Sequence, residues 1–575
     1  MKRAVLCAVL LLSAAGLVFL QTASPPPRLA TIMPSGALLY LEAPDFGHLL
    51  RDWDASKVKA DWLRSDNYAV FSRSNLFTKL KDVYAEYGEA AGFRPGLNGV
   101  IEIAGTDSAL ALYEIHDVEF LYISRIADAD FMKTQLWAVR EKFEQRQAGG
   151  VSFYLRADPA SKRTVAFAFS KGYLLLATRD DLVAQALELL AGGSNPSVAS
   201  DRWYRESTER AQRPAEDRAE LRLVMNVESL VKSDYFRSYW IQRNTSVLRQ
   251  YWAGLADVRR SGAGITETRV FLRAPDAQAP APAASDSGEV SGLLELVSPE
   301  ADLYKAARVG DSSAVAAMVV EKLIGPQPQS TRDWREAPMA VSPDSQAGSE
   351  GDLETRIDEQ PLPSDPGISD SVAAVRAMVD QTGCSAFLLI QSSAPASATF
   401  VHLPAVIVLD GVQNWDRNAV RTSLTAAAGK LWTTSQLGAG WVSGTAGRHP
   451  VERLDGLGAL TFAASGRLLL LGNDARLLAA VLDRAGARPS TGALDYAAGF
   501  RHSLVRSDYL RIMTALDFGG SHGKAEEDGP PDAPPFFSGN IGSLSRVLSS
   551  VAEIRVTEEQ RGSIVLQTVV YRMAQ

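Results

Sequence analysis

Cysteine is nearly missing from this chain: 575 residues contain two. Cys7 lies inside an apolar N-terminal run, so removal of that run leaves Cys384 alone, and one thiol forms no internal disulfide. Histidine is sparse too. His48, His116, His402, His449, His502 and His522 occur singly, with no pair at helical ligand spacing and no Cys pair beside them. No metal site and no cofactor is therefore expected. A cationic excess is also lacking: 59 Lys and Arg stand against 67 Asp and Glu, for a net charge of -8. Such a surface has no general attraction for phosphate backbones, so no nucleic-acid partner is expected.

The common catalytic signatures are absent as well. There is no Gly-x-Ser-x-Gly and no phosphate-binding glycine loop. Ser56-Lys57-Val58-Lys59 fits Ser-x-x-Lys and Ser65-Asp66-Asn67 fits a second penicillin-recognising element, but the two lie too close together and no Lys-Thr-Gly completes the set. That stretch reads as helix or loop with surface polar groups. Gly310-Asp311-Ser312-Ser313 resembles a hydrolase nucleophile block without an elbow or partners, and reads as a helix N-cap at Asp311 or Ser312. No catalytic residue is assigned. Cys384, ahead of an apolar strand, reads as a buried thiol.

What is present begins with an export signal. Lys2 and Arg3 precede a continuous apolar run from Ala4 to Leu20, closed by polar and proline residues. Segment 1–23 is therefore a signal peptide or an N-terminal membrane anchor, and both alternatives stand. In either case the bulk of the chain is expected outside the cytoplasm, periplasmic or anchored in the inner membrane and facing the periplasm. Three compositional breaks follow: a linker at 274–290, a disordered insertion at 326–370 and a mobile loop at 519–540.

The segments either side of the linker, 30–273 and 291–575, repeat each other. Gly172–Leu190 reads strand, polar turn, helix, and so does Gly466–Arg484. Leu182, Val183, Ala186 and Leu187 share their spacing with Leu477, Leu478, Val481 and Leu482, one face of a helix docked on a sheet. Counted from Gly172 and Gly466, the second turn holds one more residue. Thr178, Arg179 and Asp180 then face Gly472, Asn473 and Asp474, so the packing face is kept and the polar groups are not. A second block repeats in the same order. Met132, Leu136, Val139 and Phe143 match Val420, Leu424, Ala427 and Leu431, and each set predicts one helix, capped from Asp128 or Asp130 and from Asp416 or Asn418. The final apolar strands, 265–273 and 563–573, close the two repeats alike. The expected fold is α+β, a tandem duplication of a mixed, largely antiparallel sheet with helices packed on it. Strict βαβ alternation is missing, which argues against a doubly wound nucleotide-binding fold.

Pro34–Leu50, with its Pro-x-x-Ala and tyrosine-bearing strand, and Gly172–Leu190 resemble an uncharacterised family of exported bacterial proteins, a domain of unknown function. Ser298–Val309 carries a weaker version, one residue shorter between proline and tyrosine. The resemblance implies an envelope location and no catalytic residues.

The stretch most suggestive of binding is Lys232–Trp252. Tyr235, Tyr239, Trp240, Arg243 and Trp252 are its candidate partner-binding residues, set among Phe236, Tyr251, Arg237 and Arg249. Exposed, they suit stacking or a partner's chain. The preferred structural alternative is that Phe236 and Trp240 face the core. The expected function is a non-enzymatic binding or scaffold module of the envelope, its partner another envelope protein or a hydrophobic ligand. The alternatives are an envelope hydrolase with an unrecognised site, or a carrier of a lipid or small hydrophobe. Oligomeric state is not legible.

Overall fold

The computed structural model describes residues 28–73, 75–94, 96–211, 219–233, 248–262, 264–275, 288–299, 301–325, 366–393, 403–432, 440–455, 459–486, 493–502, 504 and 550–574. Segment 1–23, most of the 274–290 linker, most of the 326–370 insertion and the whole 519–540 loop fall outside these. The helix Pro366–Thr382 takes in the last five residues assigned to the insertion.

The fold is α+β. The first repeat supplies β1 (Leu39–Pro44), β2 (Asp107–Glu114), β3 (Glu119–Arg125), β4 (Glu144–Ala148), β5 (Val151–Ala157), β6 (Thr164–Ser170), β7 (Tyr173–Ala177), β8 (Leu221–Met225), β9 (Tyr251–Ser261) and β10 (Gly264–Arg273). The second supplies β11 (Leu303–Arg308), β12 (Cys384–Gln391), β13 (Ala405–Gly411), β14 (Gly440–Ala446), β15 (His449–Asp455), β16 (Ala459–Ser465), β17 (Leu468–Gly472), β18 (Tyr496–Phe500), β19 (Val551–Arg561) and β20 (Ile564–Met573).

The chain forms two compact units. One comprises the residues up to 50 with 82–209 and 223–226, and the other comprises 51–81, 210–222 and 227 onward. The boundary does not coincide with the linker, because β9 and β10 pack with the second repeat. In the first unit the strand order is β8-β1-β2-β3-β7-β6-β5-β4. In the second it is β14-β15-β16-β17-β13-β12-β11-β18-β19-β20-β10-β9, antiparallel throughout. Strands β18 and β11 to β17 thus repeat the order of β8 and β1 to β7.

The correspondence extends to single hydrogen bonds. Hairpin β9–β10 shifts register between Leu272 and Arg273, with Arg273 opposite Tyr251. Hairpin β19–β20 shifts between Val551 and Glu553, with Val551 opposite Met573. Both are therefore bulged at the same place, three hundred positions apart. The Glu220 amide donates to the Val258 carbonyl at 3.0 Å, and the Asp495 amide donates to that of Glu558 at 3.0 Å. The amides of Asn226 and Arg501 likewise donate to the carbonyls of Leu38 and Asp302. Strands β10 and β20 do more than end their repeats: they pair with each other, with Thr268 opposite Thr568.

Burial explains the elements. In the second unit β12, β13 and β17 are apolar on both faces. Phe387, Leu389, Ile407, Leu409 and Leu471 pack against the helices Ser312–Val319, Pro366–Thr382 and Arg417–Leu431. Leu388, Ile390, Val406, Val408 and Leu470 pack against Glu289–Leu294 and Ala475–Leu482. Strands covered on both sides read as unbroken apolar runs, which is how Ala405–Asp410 reads. In the first unit, Phe131, Leu136, Phe143, Phe167 and Leu174 form one core cluster.

Two expectations are corrected. The first repeat does not form one helix over Met132–Phe143. It makes short helices Asp128–Phe131 and Gln135–Ala138, broken where Thr134 caps the second by accepting from the Trp137 amide, then a 3-10 turn. The break turns Phe131 inward, 1 % exposed, and leaves Met132 56 % exposed. The second repeat keeps the continuous helix, capped by Asp416 as expected, with Val420, Leu424 and Ala427 buried. The second turn also has no extra residue. Both β6–β7 and β16–β17 close with two-residue loops, in which Gly466 (φ 59°) takes the place of Lys171 (φ 52°), not that of Gly172 (φ 77°). A two-residue hairpin needs a left-handed first central residue, and glycine meets that need in only one copy. Thr178 therefore corresponds to Asn473, and the two do one job. The Thr178 hydroxyl accepts from the Phe120 amide at 2.9 Å, and the Asn473 side-chain carbonyl from the Ala405 amide at 2.7 Å.

Candidate ligand pocket

Of the residues singled out for partner binding, Tyr235, Tyr239, Trp240 and Arg243 lie outside the described residues. Trp252 is partly buried at the β9 bulge. Its neighbour Tyr251 packs within the sheet, its ring 5.0 Å from that of Phe271 and 5.8 Å from the Arg273 guanidinium.

The enzyme-like motifs resolve into caps. Ser56 accepts from the Lys59 amide at the start of the helix Lys57–Leu63, and Lys57 pairs with Asp61. Ser65 accepts from the Tyr68 amide while donating to the Trp62 carbonyl. Asp311 accepts from the Ser313 amide at 2.8 Å, the N-cap read from the sequence. Cys384 is partly buried, and its thiol is pushed up to about 12 by burial first and then by the charge of Asp410. A thiol held protonated is a poor nucleophile.

A pocket of about 610 Å³ lies in the second unit, where the helix Glu289–Leu294 and the loop after it meet β11, β18 and β19. Leu294, Val297, Pro299, Leu494 and Ala497 supply the apolar part of its lining. Ser291, Ser298, Tyr304, Arg501, Arg555 and Thr557 supply the polar part, with Glu295 exposed at the rim. Tyr304 stands opposite Gly499 across the β11–β18 ladder, and its ring lies on that glycine. A Cβ built at Gly499 would stand 2.1 Å from Tyr304 Cε1 and 2.4 Å from Cζ, so only glycine leaves room for the ring. Burial raises the Tyr304 phenol above its usual range, against the opposing charge of the hydrogen-bonded Arg555, and the hydroxyl remains a donor at neutral pH.

Beside the pocket one buried carboxylate gathers three guanidinium groups. Glu553 lies 3.1 Å from Arg572, 3.5 Å from Arg555 and 3.7 Å from Arg501. Arg501 also donates to the carbonyls of Pro299 and Ala301. Arg501 and Arg555 line the pocket with Glu295, and counting Glu553 and Arg572 beside them three guanidinium groups face two carboxylates, so the site is net cationic. The Ser298 hydroxyl, 95 % removed from solvent, has no hydrogen-bond partner among the described residues.

The other repeat shows how the pocket arises. By the matched hairpins, Glu553, Arg555 and Arg572 occupy the places of Ala253, Leu255 and Leu272, all buried apolar residues. Ala497 and Thr557 occupy those of Arg222 and Asp257, which form a two-pronged ion pair at 2.7 and 2.9 Å. One repeat therefore fills its site with greasy side chains and a salt bridge, whereas the other lines an opening with small residues and arginines. The signal was present in the sequence as a disagreement between repeats, but it required the register to be seen.

Comparison with known proteins adds little. No family model and no curated protein matches the chain. Among solved structures, crystal forms I and III of TP0453 are similar at 12 % identity, with TM-scores of 0.24 and 0.25. They cover 45 % and 44 % of this chain and 82 % of each of those. A likeness this distant assigns nothing.

The second unit also exposes apolar side chains on the helical segment 51–81. Trp53, Leu63, Phe71 and Leu80 are each more than a third exposed, and Trp62, Tyr68, Phe71 and Phe77 form a ring cluster with centroids 5.4 to 6.2 Å apart. Among the described residues no group of His, Cys, Asp and Glu is arranged to hold a metal ion. No described helix is long and apolar enough to cross a membrane.

Proposed function

We propose that this chain is an exported envelope protein, built by internal duplication, that works as a non-enzymatic binding module with the second unit's pocket as its ligand site. One observation carries the reading: the pocket stands where the two repeats, otherwise matched in strand order and bulge position, carry opposite chemistry. Shared positions hold up the fold in both copies, so positions that diverge toward an open, polar-ended cavity are free to serve binding. The volume is within the range of small-molecule sites. The basic N-terminus with its apolar run supports export, and the resemblance to an exported bacterial family agrees. The apolar part of the lining favours a small, partly hydrophobic ligand, the carrier form of this function. The exposed aromatic helices at 51–81 support a scaffold role as the second reading.

The test is recovery of the protein from its own envelope without detergent, followed by mass spectrometry of what elutes on denaturation. The wild type is expected to release a small molecule in near-stoichiometric amount. Leu494→Trp and Val297→Trp, which crowd the pocket from its partly exposed wall, are expected to release little. Equal recovery from all three proteins would reject the pocket as the site.

A further inference from the structure

The arginine cluster says what kind of molecule the pocket takes. We infer that it binds an amphiphile with an anionic head and an apolar body, the head held by Arg501 and Arg555 with the Ser298 and Tyr304 hydroxyls, the body lying along Leu294, Val297 and Leu494. The inference rests on the binding reading above and deepens it.

Four observations support it. The pocket lining combines apolar side chains with hydroxyls and two arginines, as an amphiphile needs. The site holds more positive charge than negative: among the described residues Glu553 is the one carboxylate paired with Arg501, Arg555 and Arg572, and Glu295 is the one carboxylate lining the pocket. Arg501 is three-quarters buried and Arg555 half so, and an anion bound between them exchanges water for charge-assisted hydrogen bonds. Ser298 presents a buried hydroxyl at the pocket with no hydrogen-bond partner among the described residues. Finally, Arg555 keeps about half of its side chain in solvent, so it can fold over a head group, while Arg501 is fixed by two backbone carbonyls. A fixed and a movable guanidinium together suit a carboxylate or phosphate, each able to accept paired N–H donors. A cationic ligand meets the wrong sign, and a purely apolar one leaves the arginines and Ser298 unserved. The volume of about 610 Å³ falls in the range of small-molecule sites and suits a single short-chain amphiphile. A carboxylate and a phosphate ester share this chemistry, and the experiment separates them.

Isothermal titration of the full chain in detergent-free buffer, with decanoate, decyl phosphate, 1-decanol and decyltrimethylammonium, each below its aggregation concentration, tests the inference. At least one of the two anions is expected to bind ten times or more tighter than decanol, with decyltrimethylammonium weakest. The tighter of the two anions then identifies the head. Arg555→Gln, at an exposed side chain, is expected to erase most of the preference for the anion while leaving decanol unchanged. Equal binding of anion and cation, no binding of either anion, or a preference that survives in both Arg555→Gln and Arg501→Gln would overturn the inference. Leu494→Trp separates the two levels. If it weakens decanol and decanoate alike but the heads are not distinguished, only the charge inference falls. If it changes nothing, the pocket itself is not the site.

Discussion

Gly499→Ala is the sharpest structural test of how the pocket is built. The added Cβ would stand 2.1 Å from Cε1 and 2.4 Å from Cζ of Tyr304, well inside the roughly 3.5–4.0 Å at which carbon atoms rest. Tyr304 is 6 % exposed and fixed opposite Gly499 by the β11–β18 register, so the ring can yield only toward the pocket it lines. Overpacking of this kind costs about 1–3 kcal/mol. A chain of two compact units need not unfold in one step, so the cost is best read locally, by hydrogen exchange of the β11 and β18 amides. Exchange there is expected to quicken by about 5- to 150-fold, the equivalent of about 1–3 kcal/mol. Background substitutions separate the ring from the hydroxyl. In Tyr304→Phe the two nearest clashing carbons remain and only the hydroxyl oxygen, 2.6 Å from the added Cβ, is gone, so Gly499→Ala should keep most of its cost. In Tyr304→Ala they are gone, and the extra penalty should vanish. An equal penalty in all three backgrounds would show that the ring does not lie on Gly499 and would refute the account. Anion affinity should fall with it, since the displaced ring narrows the pocket.

Other consequences can be measured separately. Alkylation of Cys384 at pH 8 should be at least a hundredfold slower in the folded protein than in denaturant, because the folded thiol ionises at about 12. A raised thiol pKa favours the folded state fully below the unfolded value of about 8.5 and loses that contribution as pH rises toward the folded one. Rapid labelling of the native protein would contradict this. Asp474→Ala removes a cap accepting from the Arg476 amide at 2.9 Å and the Leu477 amide at 2.8 Å, and should cost about 1 kcal/mol in exchange protection of the helix Ala475–Leu482. Its counterpart Arg179 makes no side-chain cap to the helix Asp180–Leu190, so Arg179→Ala should carry no capping loss there. Asp257→Ala deprives Arg222 and Arg259 of a buried carboxylate and should cost about 3 kcal/mol in exchange protection of the β9 amides. The paired change Arg222→Ala with Asp257→Thr, which copies Ala497 and Thr557, should cost less than Asp257→Ala alone.

How much was legible follows from what each element depends on. The helix faces of Leu182–Leu187 and Leu477–Leu482, the Asp416 cap and the Asp311 cap depend on neighbours within a few residues, and all were read from local spacing. The break at Thr134 was missed because the apolar positions Met132, Leu136, Val139 and Phe143 fit a helix equally well. Only the space between sheet and helix decided that Phe131, not Met132, turns inward. The turn count failed by one residue because glycine was taken as a marker of place, whereas the hairpin asks only for a left-handed backbone. The aromatic stretch chosen for binding, Tyr235 to Trp252, lies mostly outside the described residues, and Trp252 itself sits at a strand bulge.

The sequence by itself determined the α+β class, because this rests on periodicity and residue type. The pocket was decided by tertiary structure. Glu553, Arg555 and Arg572 look like an ordinary solvated strand until the matched bulges set them against Ala253, Leu255 and Leu272. Tyr304 looks like a core tyrosine until Gly499, almost two hundred residues later, is found beneath its ring. A binding site is a meeting of distant residues, and register alone tells which residues meet.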